Sequence, residues 1–293
     1  MEKQPTISPA LKDCNHRLCS TLQQYISLLN ELIAIIMKHE SVKGVSTENT
    51  IPDSVEPVVS IMLQALGSSS NTLYNLSGAS GLHTRDCYSI VRSIVELSVN
   101  ICYIIAEGPD AAGRASRHAR QKSYKNLERA SKINNTIIKL NYSGRPDPSK
   151  IEGLEKDIAE FTAQTGRDKG WIDLNIDKRI EVVGEKLSTS TSDLLHFARF
   201  MIYRDSSEIL HGTYFGALYF FGITKPNPVT TQDEWMEFIG EQHMEILFAT
   251  LLSHSAVVRS FHKAYGLPHV YEKSRALDKT VHEIPYFQGD SPI

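Results

Sequence analysis

The clearest pattern in the chain is a stripe of apolar residues near its start, spaced by three and four positions. This spacing places the side chains on one helix face and predicts a long helix from about Pro9 to His39. The stripe consists of Leu18, Leu22, Ile26, Leu29, Ile33 and Ile36. Residues 40–57 then combine Gly, Pro and a cluster of Ser, Thr and Asn, which is typical of a linker. We therefore predict an N-terminal helix and linker over residues 1–56, forming a separate arm.

Most of the remaining chain also has helical periodicity. Sustained two-residue alternation and hairpin turns, the signatures of strands, are not evident. We therefore predict an all-α protein, with a multi-helix bundle domain over residues 57–265 and an extended or loosely ordered tail over residues 266–293. The expected helices cover about residues 58–80, 84–107, 111–141, 150–166, 175–187, 188–211 and 234–265, and the small and aromatic residues at 213–223 are expected to continue the helix that precedes them.

Two charged residues interrupt the most apolar of these helices. Arg92 and Glu96 are four positions apart and are flanked by Ile and Val, so we expect a half-buried ion pair. Two interpretations remain open. The pair is either a structural lock that fixes this helix against the helix of Arg204, or part of a polar site around His211.

The sharpest chemical signal is the segment YRDSSEILHG, in which Arg204 and His211 are seven positions apart. On a helix the two side chains project from one face, separated by about 10 Å along the axis. A permanent cation beside a proton carrier is what a metal-independent ribonuclease needs to stabilise a phosphorane and move a proton. Asp205, Ser207 and Glu208 accompany the pair. The alternative is an ordinary helix surface with an Arg204–Glu208 ion pair.

A basic stripe lies on the predicted helix over residues 111–141. The basic residues are spaced by four, four, three and four positions, which places them on one helix face. They are Arg114, His118, Lys122, Lys125 and Arg129. The stripe is either a solvated face or a track for RNA phosphates.

Composition adds few constraints. The chain has 293 residues and a net charge of −3, so any contact with nucleic acid must come from a local patch. Its four cysteines lack the paired spacing of a zinc site, which favours reduced thiols and a cytoplasmic location. The N-terminus has no secretory signal pattern, and charged or polar residues break the apolar stretches, so we expect no membrane contact. Motifs for metal, ATP, nicotinamide and serine-hydrolase chemistry are absent, and we expect no metal and no cofactor.

The segment RDCYSIVRSIVELSVNICYIIAE, together with the later YRDSSEILHG, resembles an uncharacterised family of bacterial helical proteins known only as a domain of unknown function. The shared features are an Arg-x-x-x-Glu in an apolar helix and a later Tyr, Ser and His-Gly. They correspond here to Arg92, Glu96, Tyr203, Ser207, His211 and Gly212. This resemblance covers about residues 70–222 and supplies no activity.

A more distant resemblance is to the HEPN superfamily, small helical bundles whose active members carry Arg, four to six residues, and then His. It implies a HEPN-like core with added N- and C-terminal helices, and a ribonuclease of a toxin–antitoxin or phage-defence system. Arg204 would stabilise the scissile phosphate and His211 would transfer protons, with Asp205 as the polar residue after the Arg. The implied partners are RNA, a second copy in a homodimer, and an antitoxin or another defence protein.

Two other functions stay open at this point. The first is a non-catalytic interaction or oligomerisation module, in which Arg92, Glu96, Arg204 and His211 form a buried polar network. The second is a small-ligand or nucleotide sensor, suggested by Tyr203, Tyr214 and Tyr219 near the same helix. Exposure of His211 in a cleft that Arg204 also lines would favour catalysis.

Overall fold

The computed structural model describes residues 7–38, 47–78, 81–141 and 144–284. These residues form ten α-helices, a short 3-10 turn at Pro148–Lys150 and one β-hairpin, which confirms the all-α class. The helices are α1 Pro9–Ile36, α2 Glu56–Leu76, α3 Thr84–Glu107, α4 Pro109–Asn126, α5 Leu154–Glu160, α6 Ile176–Lys186, α7 Thr189–Leu210, α8 Tyr214–Phe220, α9 Gln232–Tyr265 and α10 Pro268–His282.

The centre of the bundle is α9, which packs against α1, α3, α7 and α10. It starts with a capping box, in which the Thr231 hydroxyl and the Glu234 carboxylate each satisfy a backbone N–H of the other residue. It ends at Gly266, whose left-handed conformation suits glycine. The neighbouring α3 also contacts α2, α6 and α7, so it is covered on several sides.

The N-terminal helix does not form a separate arm. Helix α1 packs against α2, α9 and α10, and Leu18, Leu22 and Leu29 are fully buried in the common core. The Tyr25 hydroxyl donates to Asp278 on α10 at 2.6 Å. The linker also contacts the bundle, because the Glu48 amide donates to the carbonyl of Gly266. Its residues 39–46 lie outside the described part of the chain.

The expected loose tail is largely a helix. Helix α10 covers most of it, and Asp278 there accepts hydrogen bonds from Ser255 and Arg259 of α9. The sequence pattern missed this element because α10 is polar on most of its surface and buries only three of its residues. Residues 285–293 are not among those described.

A β-hairpin replaces the second half of the predicted helix over residues 111–141. Strands β1, Glu128–Ile133, and β2, Thr136–Asn141, pair antiparallel around an Asn134-Asn135 turn. Asn134 has a φ of 54°, a left-handed conformation that Asn tolerates better than most residues. The sequence did contain an indication of the hairpin, because this two-residue turn lies between β-branched residues. The aliphatic side chains of the hairpin are exposed, and they are Ile133, Ile137, Ile138 and Leu140.

The helix that carries Arg204 does not continue through residues 213–223, as the sequence suggested. Helix α7 ends at Leu210, Gly212 turns the chain with a φ of 62°, and Thr213 starts α8 by accepting a hydrogen bond from the amide of Gly216. A Cβ added at Gly216 would lie 2.5 Å from the carbonyl of Glu208. The small size of Gly216 therefore lets α8 fold back against the end of α7.

By length and composition, α3 could cross a membrane, but just over half of its most apolar window is buried inside the protein. Core helices of soluble proteins have the same properties. The four cysteines are free, and burial raises the pKa of Cys14 and Cys87 to about 11 and that of Cys102 to about 12.

The close approach at Gly216 predicts a large effect of a single methyl group. We expect Gly216→Ala to destabilise the protein by about 2–3 kcal/mol, because overpacking forces the helices apart. Gly67→Ala is the matched control, since its Cβ would meet no atom within 4 Å and alanine favours a helix interior by about 0.5–1 kcal/mol. Urea denaturation measures both changes. Equal stability of the two variants would contradict this account of the turn.

Candidate active site on helix α7

Arg204 and His211 lie at the C-terminal end of α7, and both are exposed to solvent. His211 follows the last helical residue but keeps helix-like backbone angles, and its amide donates to the carbonyl of Ser207. At about 100° per residue the two side chains are about 20° apart around the helix axis. They therefore share one face. Ser207 lies between them on this face, as the spacing predicted.

The expected Arg204–Glu208 ion pair is not found among the described residues. The Glu208 carboxylate instead accepts a hydrogen bond of 2.7 Å from the Thr213 hydroxyl, which stabilises the turn into α8. The guanidinium of Arg204 therefore remains available to solvent, and its described electrostatic neighbour is the adjacent Asp205.

Asp205 turns away from the exposed face and enters a half-buried cluster. The Tyr219 hydroxyl bonds its carboxylate, and burial raises the pKa of Asp205. Glu245 on α9 lies close enough to interact with it, and burial together with the Asp205 charge raises the pKa of Glu245 to about 7. The buried ring of Tyr88 packs edge-on against Tyr219. Asp205 therefore links α7 to α8 and α9.

Arg92 and Glu96 form the predicted ion pair, with 3.1 Å between Arg92 Nε and Glu96 Oε1. The guanidinium also stacks on the ring of Tyr203, at 4.4 Å from its centroid. The Arg92 side chain is 19% exposed and that of Glu96 is 43% exposed, so the pair is half-buried. It locks α3 against α7, on the flank of α7 next to the Arg204 and His211 face.

Further arginines, which the sequence did not single out, surround these residues. The Arg199 guanidinium lies 5.0 Å from the centroid of the Tyr203 ring and pairs with Asp177 at 2.9 Å. Arg179 on α6 interacts with Glu96 and donates to Asn100 on α3. The sequence pattern did not indicate these arginines, because α6 and α7 contact α3 only in the folded protein.

Arg85, at the start of α3, donates to the carbonyl of Ile209 at 3.5 Å. It thus places a second cation, 48% exposed, beside the turn that carries His211. Of the aromatic residues proposed for a sensor, Tyr214 is 80% exposed, whereas Tyr203 and Tyr219 pack within the protein.

The predicted basic stripe is divided between two elements. Arg129 is on the hairpin, and the others are on α4, where they contact the segment from α5 to α6. Arg114 pairs with Glu160 and Asp173, His118 contacts the carbonyl of Lys169, and Lys122 and Lys125 both bind Asp168. Hydrogen bonds from the two lysines lower the pKa of Asp168. Carboxylates therefore neutralise much of the charge that would attract RNA.

Comparison with known proteins places the central part of this arrangement in a family. A family model described as "Family of unknown function (DUF5677)" matches residues 58–227, which is more than half of the chain. The chain belongs to the DUF5677 family. The match confirms the resemblance to a domain of unknown function and includes both Arg92–Glu96 and Arg204–His211. All of α1, α9 and α10 lie outside it. No curated protein and no solved structure matches the chain.

The raised pKa of Glu245 predicts a pH-dependent effect on stability. The folded protein favours the protonated carboxyl, so its stability falls as pH rises from about 4.5 through 7. We expect Glu245→Gln to stabilise the protein by about 2 kcal/mol at pH 8 and to have little effect at pH 4.5. Denaturant unfolding at both pH values tests this. Glu185→Gln, an exposed carboxylate on α6, is the control. A pH-independent effect of Glu245→Gln would contradict the prediction.

Proposed function

We propose that this DUF5677 protein is a metal-independent endoribonuclease of the HEPN type, with Arg204 and His211 as its catalytic residues. The observation that carries the proposal is the exposure of both side chains on one face at the end of α7. A sealed polar network would instead hold them inside the protein. The spacing and the polar Asp205 are those of the HEPN resemblance.

The chemistry needs only these groups and the RNA. The 2′-hydroxyl attacks the adjacent phosphorus while the bond to O5′ breaks, giving a 2′,3′-cyclic phosphate and a 5′-hydroxyl. His211 accepts the proton of the attacking 2′-hydroxyl, and the imidazolium so formed donates it to the leaving O5′. The Arg204 guanidinium stabilises the charge that develops on the phosphorane oxygens. Because the two residues lie about 10 Å apart along the axis, the phosphate fits between their side chains.

We further propose that the protein acts as a homodimer, in which the second copy covers the Arg204 and His211 face. Phe200 lies one turn before Arg204 on the same exposed face and is 80% exposed, as is Tyr214 just after His211. Large aromatic side chains exposed beside a polar site are typical of an interface. A second copy covering this face would bring two Arg–His pairs together in one cleft. The resemblance further suggests a cytoplasmic role in toxin–antitoxin or phage-defence systems, with an antitoxin or another defence protein as partner.

The alternative function is a non-catalytic interaction module, and the hairpin favours it. Two-stranded hairpins are marginally stable alone, and this one exposes four aliphatic side chains and two strand edges. A partner protein that covers them would stabilise the hairpin. In this alternative the Arg92–Glu96 pair only fixes helix packing.

The decisive experiment incubates the purified protein with total RNA in EDTA and determines the ends of the fragments. We expect wild type to leave 2′,3′-cyclic phosphates and Arg204→Ala/His211→Ala to cleave at least about 100-fold more slowly. The double variant should keep its Tm because both side chains are exposed. Arg275→Ala/His282→Ala is the control, since that pair has the same spacing on α10. Equal cleavage by wild type and the α7 variant, or none by wild type, would favour the interaction module.

The dimer has its own test. We expect Phe200→Glu to give a monomer at micromolar concentration in sedimentation and to reduce cleavage, because it places two carboxylates in the apolar centre of the interface. Ile61→Glu on α2 is the control, since Ile61 is also exposed, at 67%, but lies on another helix. A monomeric wild type that cleaves RNA would contradict the dimer.

A further inference from the structure

An open cleft of about 370 Å³ lies between α2, α3 and the end of α7. Hydroxyl groups dominate its lining, and they surround a single arginine. The lining residues are Ser68, Ser69, Thr72, Ser89, Ile90, Arg92, Ser93, Glu96 and Leu210. Since Leu210 directly precedes His211, the cleft adjoins the proposed active site.

Arg92 is held in one orientation within this cleft. Its Nε donates to Glu96, and one face of the guanidinium is covered by the Tyr203 ring. Its two terminal amino groups make no hydrogen bond with any residue that the structure describes, although the side chain lines the cleft. A guanidinium with two free, adjacent amino groups binds a phosphate or carboxylate in a bidentate manner. Here the orientation is fixed before the ligand arrives.

The local charge balance is positive despite the carboxylate. Glu96 is the acidic residue of the lining and would face a bound anion, but its charge is shared by Arg92 and by Arg179, whose guanidinium interacts with it from α6. Arg199 is balanced separately by Asp177. One positive charge therefore remains for a ligand.

The hydroxyls divide into two groups. Thr72, Ser89 and Ser93 donate to backbone carbonyls of their own helices, so their oxygens are left to accept hydrogen bonds. The hydroxyls of Ser68 and Ser69 have no partner among the described residues and are free to donate. Together with the amino groups of Arg92 they give donors for several oxygens of a tetrahedral anion, more than a planar carboxylate uses.

We propose that this cleft binds a backbone phosphate of the RNA strand, beside the phosphate that is cut between Arg204 and His211. The inference rests on the proposed function, because the cleft and the catalytic face meet at Leu210 and His211. The hydroxyls that accept hydrogen bonds suit the ribose 2′-hydroxyl, whose recognition distinguishes RNA from DNA. Arg92 is a binding residue here, and it does not take part in proton transfer.

The test measures binding without cleavage. A fluorescent RNA oligonucleotide, which keeps its 2′-hydroxyls, is titrated with each protein in a His211→Ala background that does not cleave, and binding is followed by anisotropy. We expect Ser93→Leu and Ser69→Leu, which fill the cleft while keeping the Arg92 side chain, to weaken binding about tenfold. Arg92→Lys, which keeps the charge but loses the bidentate geometry, should weaken it to a similar extent. Ser20→Leu, an exposed serine on α1, should bind as wild type.

Unchanged binding by both cleft-filling variants would overturn the proposal, whatever the result with Arg92→Lys, whose fold is checked by its Tm. Competition with inorganic phosphate and with adenosine monophosphate separates the sources of the phosphate group. Binding of these small anions with the same dependence on Ser93, but without binding of the oligonucleotide, would overturn the assignment to RNA. Oligonucleotide binding that depends on the cleft in a protein that cuts no RNA would support the cleft and contradict the ribonuclease proposal.

Discussion

The packing of α3 against α9 is the contact on which the rest of the structure depends. Helix α9 is buried along most of its length, and small residues such as Ala249, Ala256 and Ser260 are fully buried there. The hydroxyls of Ser253 and Ser260 donate to carbonyls one turn earlier, and His254 bonds Ser70 on α2, so these polar groups enter the core with hydrogen bonds made. Burial lowers the pKa of His254 to about 4 and keeps it neutral.

This central pair also positions the candidate site. Because one flank of α3 rests on α9, its other flank presents Arg92 and Glu96 to α7. Tyr203 fits against Arg92, which turns Arg204 to the solvent one residue later. The tight turn at Gly212 and Gly216 then fixes where His211 stands. A buried scaffold thus sets the positions of exposed groups that make few contacts themselves.

The sequence pattern was sufficient for those parts of the protein that local physics decides. The apolar stripe of α1 and the apolar run of α3 were sufficient to predict both helices. The shared face of Arg204 and His211 follows from helix geometry alone. The hairpin was missed because its aliphatic side chains are exposed, and α10 because only three of its residues are buried and one of them is a serine. The partners of the charged residues could not be predicted either. Asp168 lies more than forty residues from Lys122 and Lys125, and only the fold brings them together.

The way in which α5 is attached has a consequence for the dynamics of the protein. Phe161 and Leu154 are buried but lie outside the main hydrophobic cluster, and Asp157 joins this segment to α4 through Arg117 and Arg120. Attachment by partly exposed ion pairs weakens as ionic strength rises, whereas apolar packing does not. We therefore expect this segment to open locally at a lower free energy than the bundle, and higher ionic strength to favour that opening.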